Sequence, residues 1–276
     1  QYVDKFSVLA ASGQMTDMFY IAAENKQEVI SKGVAEDISD MEIFSRIDPA
    51  TSATYGKDGK IYGYSPDAWI GGIFYNKDLF EQAGIEKEPE TWQDFVDCAA
   101  KLKAIGVEPY LDDADNVHNL AQDLYQCSVI SQEPDADVQI NEGKATFQEK
   151  YTEPLKLWYN DMIASGLYSQ MALGLNSDQV IDMFANGEVA MMHGGPWNIA
   201  MIEQNYDIFG LSDNSGNRVL PGAVNVGLSV STTSEHKDAC RAFIEYMARD
   251  ENIVKWQKVT NNAIIVEGID YTMGTV

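Results

Sequence analysis

Trp197 stands directly behind Gly194-Gly195-Pro196, where the apolar run Val189-Ala190-Met191-Met192 ends and a helix is due to begin. A large ring at such a turn is either core packing or a flat face offered to a ligand. The same pairing of aromatic and polar groups recurs in three other stretches. Asp17, Tyr20 and Glu24 lie in "DMFYIAAEN", Trp69 in "SPDAWIGG", and Asp113, Asn116 and His118 in "YLDDADNVHN". Each stretch follows a strand-like run, and α/β proteins place ligand sites on such loops. The chemistry that fits is carbohydrate recognition. An aromatic ring covers the C–H face of a pyranose, while carboxylates and amides fix its hydroxyls.

Signatures of catalysis and of cofactor binding are missing. There is no Gly-x-Gly-x-x-Gly, Walker loop, His-Glu-x-x-His or Gly-x-Ser-x-Gly. His118, His193 and His236 are not at metal-ligand spacing. The acidic loop at 111–119 lacks the glycine and closing glutamate of a calcium loop. No pair of carboxylates stands out for glycoside hydrolysis. Cys98, Cys127 and Cys240 are far apart in apolar helical patterns and read as buried small hydrophobes. No catalytic residue, metal or cofactor is expected.

The composition narrows the partners. The chain has 276 residues, 45% of them hydrophobic, enough for one large domain or two without disulfides. Lys and Arg total 19 against 43 Asp and Glu, a formal charge of −24. Such a surface repels phosphate backbones and anionic lipid, so nucleic acid is not an expected partner. No run of roughly 18 apolar residues is present to cross a bilayer. The chain opens at "QYVDKFSVLA" without an initiator Met or a leader, and reads as a mature or trimmed piece.

The elements that must position these residues alternate between short strands and longer helices, an α/β pattern. Asp58-Gly59 predicts a hairpin turn before a strand at 60–64. A second strand at 71–75 leads to a helix that starts at Asn76 and stops at Gly84. Thr91 and Asp94 form a capping box for a helix whose Trp92, Phe95, Val96, Ala99, Leu102 and Ile105 share one face. Helices follow at about 116–130, with Val117, Leu120, Leu124 and Cys127 as the stripe, and at about 149–164. Another is capped by Ser177 and closes at Asn186-Gly187. Pro196 suits a first helical turn. A strand at 226–230 precedes a helix capped by Ser234 that carries Ala239, Phe243 and Met247, and 262–266 reads as extended. Trp92, Trp158 and Trp256 fall on helical stripes and are expected in the core.

Five stretches, in order, carry a resemblance over nearly the whole chain: "LAASGQMTDMFYIAAEN", "DGKIYGYSPDAWIGGIFYNKDLFEQAGI", "PETWQDFVDCAAKLKAIGVEPY", "FANGEVAMMHGGPWNIA" and "STTSEHKDACRAFIEYMARDE". Together they resemble the family 1 extracellular solute-binding proteins, the sugar receptors of bacterial ABC importers, which include maltose-binding protein. The resemblance implies a two-lobe α/β fold of the periplasmic-binding-protein type II, with ligand held between lobes that close about crossing strands. Lobe 1 would comprise 1–66 and 226–264, and lobe 2 would comprise 70–222 and 267–276. The hinge would lie near 66–70, 221–225 and 264–267. Trp197 matches the stacking tryptophan of lobe 2, and Trp69 lies at a crossing where ligand contacts are common. Asp17 matches the aspartate of a "PD" turn in which Thr16 replaces proline, a position more often structural. Tyr20, Glu24, Asp113, Asn116 and His118 fall on ligand-side loops. Gly194 and Gly195 would admit backbone close to ligand. His193 would either satisfy a backbone group or touch sugar.

Relative to that family the chain is expected to lack an opening strand-helix-strand segment and closing helices. The lipid-anchoring cysteine near the mature start is also not in view. The implied protein is a monomeric receptor that delivers a carbohydrate, in particular an oligosaccharide, to membrane permease subunits. It would work outside the cell, as a cell-surface lipoprotein or in the periplasm. Two other readings stay open: a carbohydrate-active enzyme, with two carboxylates about 5–10 Å apart, and a receptor for a non-sugar solute such as a polyamine or a metal.

Overall fold

The computed structural model describes residues 2–270. The chain divides into two compact units, one formed by residues 2–69 and 222–270 and the other by Ile70–Pro221.

In the first unit, the strand Met18–Ile21 pairs antiparallel with Gly227–Val230, placing Phe19 opposite Ser229. A bridge from Leu228 to Tyr64 extends this layer. Ile38, Tyr64, Val230, Ile244 and Ile253 are buried together in one core, and Phe6, Phe19, Ile21, Val29 and Tyr55 in a second. Gly56–Lys57 and Lys60–Ile61 make the expected hairpin. Asp58 and Gly59 turn it with φ of 52° and 78°, the left-handed pair that a tight hairpin requires. Asp67–Ile70 is the middle strand of a three-stranded sheet, between Gly222–Val224 and Ala263–Ile264.

Two expectations shift here. The late helix runs Lys237–Met247 and buries Cys240 and Ile244, whereas Phe243 is 46% exposed. Its buried stripe lies one position beyond the expected one. Ser234 is too far upstream to cap it; its hydroxyl instead donates to Asp17 and accepts from the His236 N–H. The stretch 267–270 also departs from its expected place in lobe 2, because Arg46 holds it in the first unit. The Arg46 guanidinium donates twice to the Glu267 carbonyl, at 3.1 and 2.8 Å, and the Glu267 N–H returns a bond to the Arg46 carbonyl. The rest of that expected tail, 271–276, lies outside the described residues.

The second unit is built on a four-stranded sheet in the order Glu108–Leu111, Val189–Gly194, Gly72–Asn76, Tyr206–Phe209. Only the first pair is parallel, with Leu111 level with Met192. Helix Trp92–Ala104 packs on it, and both bonds of the Thr91/Asp94 capping box are present. Trp92, Phe95, Ala99 and Leu102 are fully buried, while Ile105 has passed the helix end and is 44% exposed. Phe74, Tyr110, Leu111, Leu124, Phe184 and Met191 complete the core. The helix expected at 116–130 begins later, at Asn119, and its end widens into a π turn at Gln126–Ile130. The cap of helix Ser177–Ala185 is Asn176, in a capping box with Gln179. Ser177 is left to donate to Asp113. Cys98, Cys127 and Cys240 are buried and unpaired. Of the three tryptophans expected in the core, Trp92 is fully buried and Trp158 half-buried, but Trp256 is 39% exposed.

Candidate functional site

The parallel strands Glu108–Leu111 and Val189–Gly194 end side by side, so the loops that follow them leave the same edge of the sheet. Five of the expected site residues stand on these two loops. In the first loop, Asp113 accepts both contacts of the Asn116 amide, at 2.9 and 3.1 Å, the Asp115 N–H and the Ser177 hydroxyl. Burial raises its carboxyl, but these bonds outweigh burial and hold it below the usual carboxylate range. His118 is exposed at the start of the following helix and makes no side-chain cap bond there.

The second loop is a tight turn into the short 3-10 helix Pro196–Met201. The Asn198 side chain accepts from the Gly195 N–H at 3.0 Å and is itself buried. Trp197 is 58% exposed. Both glycines are packed against protein groups. A Cβ on Gly195 would fall 2.4–2.8 Å from the six-membered ring of Trp197, and one on Gly194 would strike Asn198 at 2.7 Å and Phe74 at 3.0 Å. Their missing side chains make room for protein groups, and the Trp197 ring is seated over Gly195.

Under these loops lies a polar cluster whose members are scattered along the sequence. Asp112 is 4% exposed, accepting from the Tyr110 hydroxyl at 2.8 Å and the Asn119 amide at 3.2 Å. Burial raises its carboxyl to about 7, against the opposing pull of His193 and these two donors. Asp123, 3% exposed, stands with Oδ2 at 3.5 Å from His193 Nε2. Neither of those two atoms completes a hydrogen bond within the described residues. Burial lowers the His193 imidazole, but Asp123 beside it and then Asp112 outweigh burial, and the net shift is upward. Asp123 had a sequence signal: it sits between Leu120 and Leu124 on the buried stripe, where a carboxylate needs a partner. Asp112 and His193 had none, because only strand pairing makes them neighbours.

In the first unit the expected residues are more dispersed. The Asp17 carboxylate takes the Ser234 hydroxyl at 2.6 Å, and its carbonyl takes the Ser231 N–H, so it ties two chain segments together. Tyr20 is 45% exposed, and its backbone N–H and C=O are both bonded to the Tyr2 hydroxyl. Its side chain lines an apolar groove of about 410 Å³ with Tyr2, Phe6, Met18 and Phe243. Glu24 is exposed on the side of Tyr55, whose hydroxyl is pushed up to about 12 by burial and then by that carboxylate. Trp69 is half-buried on the strand Asp67–Ile70. Asp67 anchors this strand: its Oδ2 accepts from Trp256 Nε1 and Asn262 Nδ2, each at 2.9 Å. No sequence pattern marks Asp67, whose partners lie 189 and 195 positions away.

Among the described residues no three His, Cys, Asp or Glu side chains gather to hold a metal ion. No described helix is long and apolar enough to cross a membrane.

The described chain is thus two α/β units, one of them carrying an exposed tryptophan and a carboxylate-amide pair at the ends of parallel strands. The family model described as bacterial extracellular solute-binding protein matches residues 1–271, and the chain belongs to that family. Its fold is the α/β two-lobe fold of the family 1 solute-binding proteins. The chain is 24% identical over 272 residues to the multiple sugar-binding protein of Streptococcus mutans, covering 94% of this chain and 64% of that one. It thus spans just under two thirds of the length of that curated relative. A family 1 extracellular solute-binding protein from Bifidobacterium longum subsp. infantis superposes with a TM-score of 0.77 at 25% identity, over 98% of this chain and 73% of that one. The solute-binding protein RafE, solved in complex with raffinose, superposes with a TM-score of 0.80 at 24% identity, over 98% and 73%.

Proposed function

We propose that this protein is the receptor of a bacterial ABC importer, capturing a carbohydrate, in particular an oligosaccharide, without catalysing any reaction on it. It would hand the sugar to membrane permease subunits, working as a monomer at the cell surface, as a lipoprotein, or in the periplasm. The observation that carries this reading is Trp197, a half-exposed ring on a rigid turn beside the loop that holds Asp113 and Asn116. A pyranose stacked on that ring would meet acceptors and donors within reach of its hydroxyls. Family membership supports the reading, as do the sugar named for the Streptococcus mutans relative and the raffinose bound by RafE.

An enzyme acting on the same sugars would need a carboxylic acid facing substrate. The raised carboxyl of this face, Asp112, is buried and engaged by Tyr110 and Asn119, which favours a receptor.

The test is a thermal-shift and calorimetric screen with raffinose, stachyose, chito-oligosaccharides and spermidine. A ligand that binds only the native state raises the melting temperature. Binding of an intact oligosaccharide with no released product supports the proposal. A shift with spermidine alone, or cleavage of an oligosaccharide, overturns it.

A further inference from the structure

The two loops of the binding face share one buried support. Asp112 begins the loop that carries Asp113 and Asn116. His193 is four residues before Trp197, and the turn between them is held by Gly194 against Phe74 and by Asn198 on Gly195. His193 meets Asp123 of the helix Asn119–Tyr125, and the same helix reaches Asp112 through Asn119. Strand register explains the meeting. Tyr110 pairs with Met191, so Asp112 and His193, each two residues on, emerge on the same side of the sheet as that pair. The helix bearing Asp123 covers that side.

A buried cluster of two carboxylates and one imidazole is held together by the imidazolium charge. With His193 protonated, its charge faces Asp123 at 3.5 Å and favours the ionised form of Asp112, whose carboxyl burial raises to about 7. With His193 neutral, above the Asp112 titration, two buried carboxylates stand without the imidazolium charge and must repel or take up water. Among the described residues, the other titratable groups facing the cluster supply no cation. They are Tyr110 on its strand, Asp113 in the loop, Tyr168 beside Asp112, and Cys127 beyond Asp123.

We propose that His193, between Asp123 and Asp112, is a protonation-dependent positioning residue that holds the Asp113 and Trp197 loops in their binding arrangement. Deprotonation loosens both loops at once, and carbohydrate is held best on the acid side of the His193 titration. The part concerning affinity rests on the carbohydrate reading given above, whereas the coupling of Trp197 to His193 does not.

The experiment follows the indole N–H of Trp197 and the imidazole of His193 by NMR in the ligand-free chain from pH 5.5 to 8.5, with Trp197→Phe to assign the indole. Raffinose affinity is measured across the same range. The Trp197 signal is expected to titrate with the His193 midpoint. The midpoint should fall in Asp123→Asn, and the response should vanish in His193→Gln. Raffinose affinity is expected to fall about tenfold toward high pH, the effect of a proton site whose titration moves by one unit on binding. His193→Gln should make it flat. If Trp197 follows His193 but raffinose never binds, the positioning role stands and the carbohydrate reading fails for that sugar. A Trp197 signal that ignores His193, or raffinose binding with no pH dependence, overturns the positioning role.

Discussion

The Trp197 ring fills the space that a side chain on Gly195 would take, with the nearest ring carbon 2.4 Å from where a Cβ would sit. Gly195→Ala must therefore displace the ring or the turn. It is expected to weaken carbohydrate binding at least as much as a conservative Trp197→Phe, with little change in circular dichroism. Trp197→Ala should abolish binding and leave the fold intact, because the ring is 58% exposed. Calorimetric titration with raffinose reads both. Normal binding by Trp197→Ala would remove the ring from the site.

Asp112 links stability to pH. Its folded carboxyl titrates near 7, above its ordinary value, so between about pH 4 and 7 the folded state keeps a proton that the unfolded chain has released. Stability from this group therefore falls as pH rises through that window. His193, also raised, adds the same sign: its contribution is complete below the unfolded value and lost as pH rises through the folded one. Asp112→Asn keeps the shape, and the Tyr110 hydroxyl can turn to accept from the new amide. The variant should melt higher than wild type at pH 8 and close to it at pH 5. A lower melting temperature at pH 8 would refute this.

Asp67 uses a single oxygen for two donors, the Trp256 indole and the buried Asn262 amide. Asp67→Ala leaves the Asn262 amide unpaired and should cost about 1–3 kcal/mol in urea unfolding. Asp67→Asn keeps an acceptor oxygen and should cost less. Equal losses would show that the charge, not the acceptor, matters.

Thr91→Ala removes one half of a complete capping box on the helix Trp92–Ala104. The expected loss is about 1 kcal/mol, read by urea unfolding. Sugar binding should be unchanged, since Thr91 makes none of the hydrogen bonds described for the two loops.

Local rules were legible in the sequence because each involves residues a few positions apart. The Thr91/Asp94 box and the Asp58-Gly59 turn depend on backbone preferences within one turn of chain, and both are present. Expectation and structure differ where tertiary packing chose between neighbours. The helix Lys237–Met247 buries Cys240 and not Phe243, and Asn176 displaced Ser177 as a cap because its amide pairs with Gln179. Asp17 is expected to be more often structural, but which residue it would hold is not legible, since its partner Ser234 lies 217 positions away.

By itself the sequence determined the α/β class, the acidic charge, the family and the turn that bears Trp197, since these follow from composition, periodicity and ordered motifs; the exposure of the ring came from the structure. Tertiary structure alone decided what lies beneath that turn. Asp112, Asp123 and His193 are separated in the chain by up to 81 positions, and a buried charge acquires its meaning only from the partner that pairing and packing bring to it.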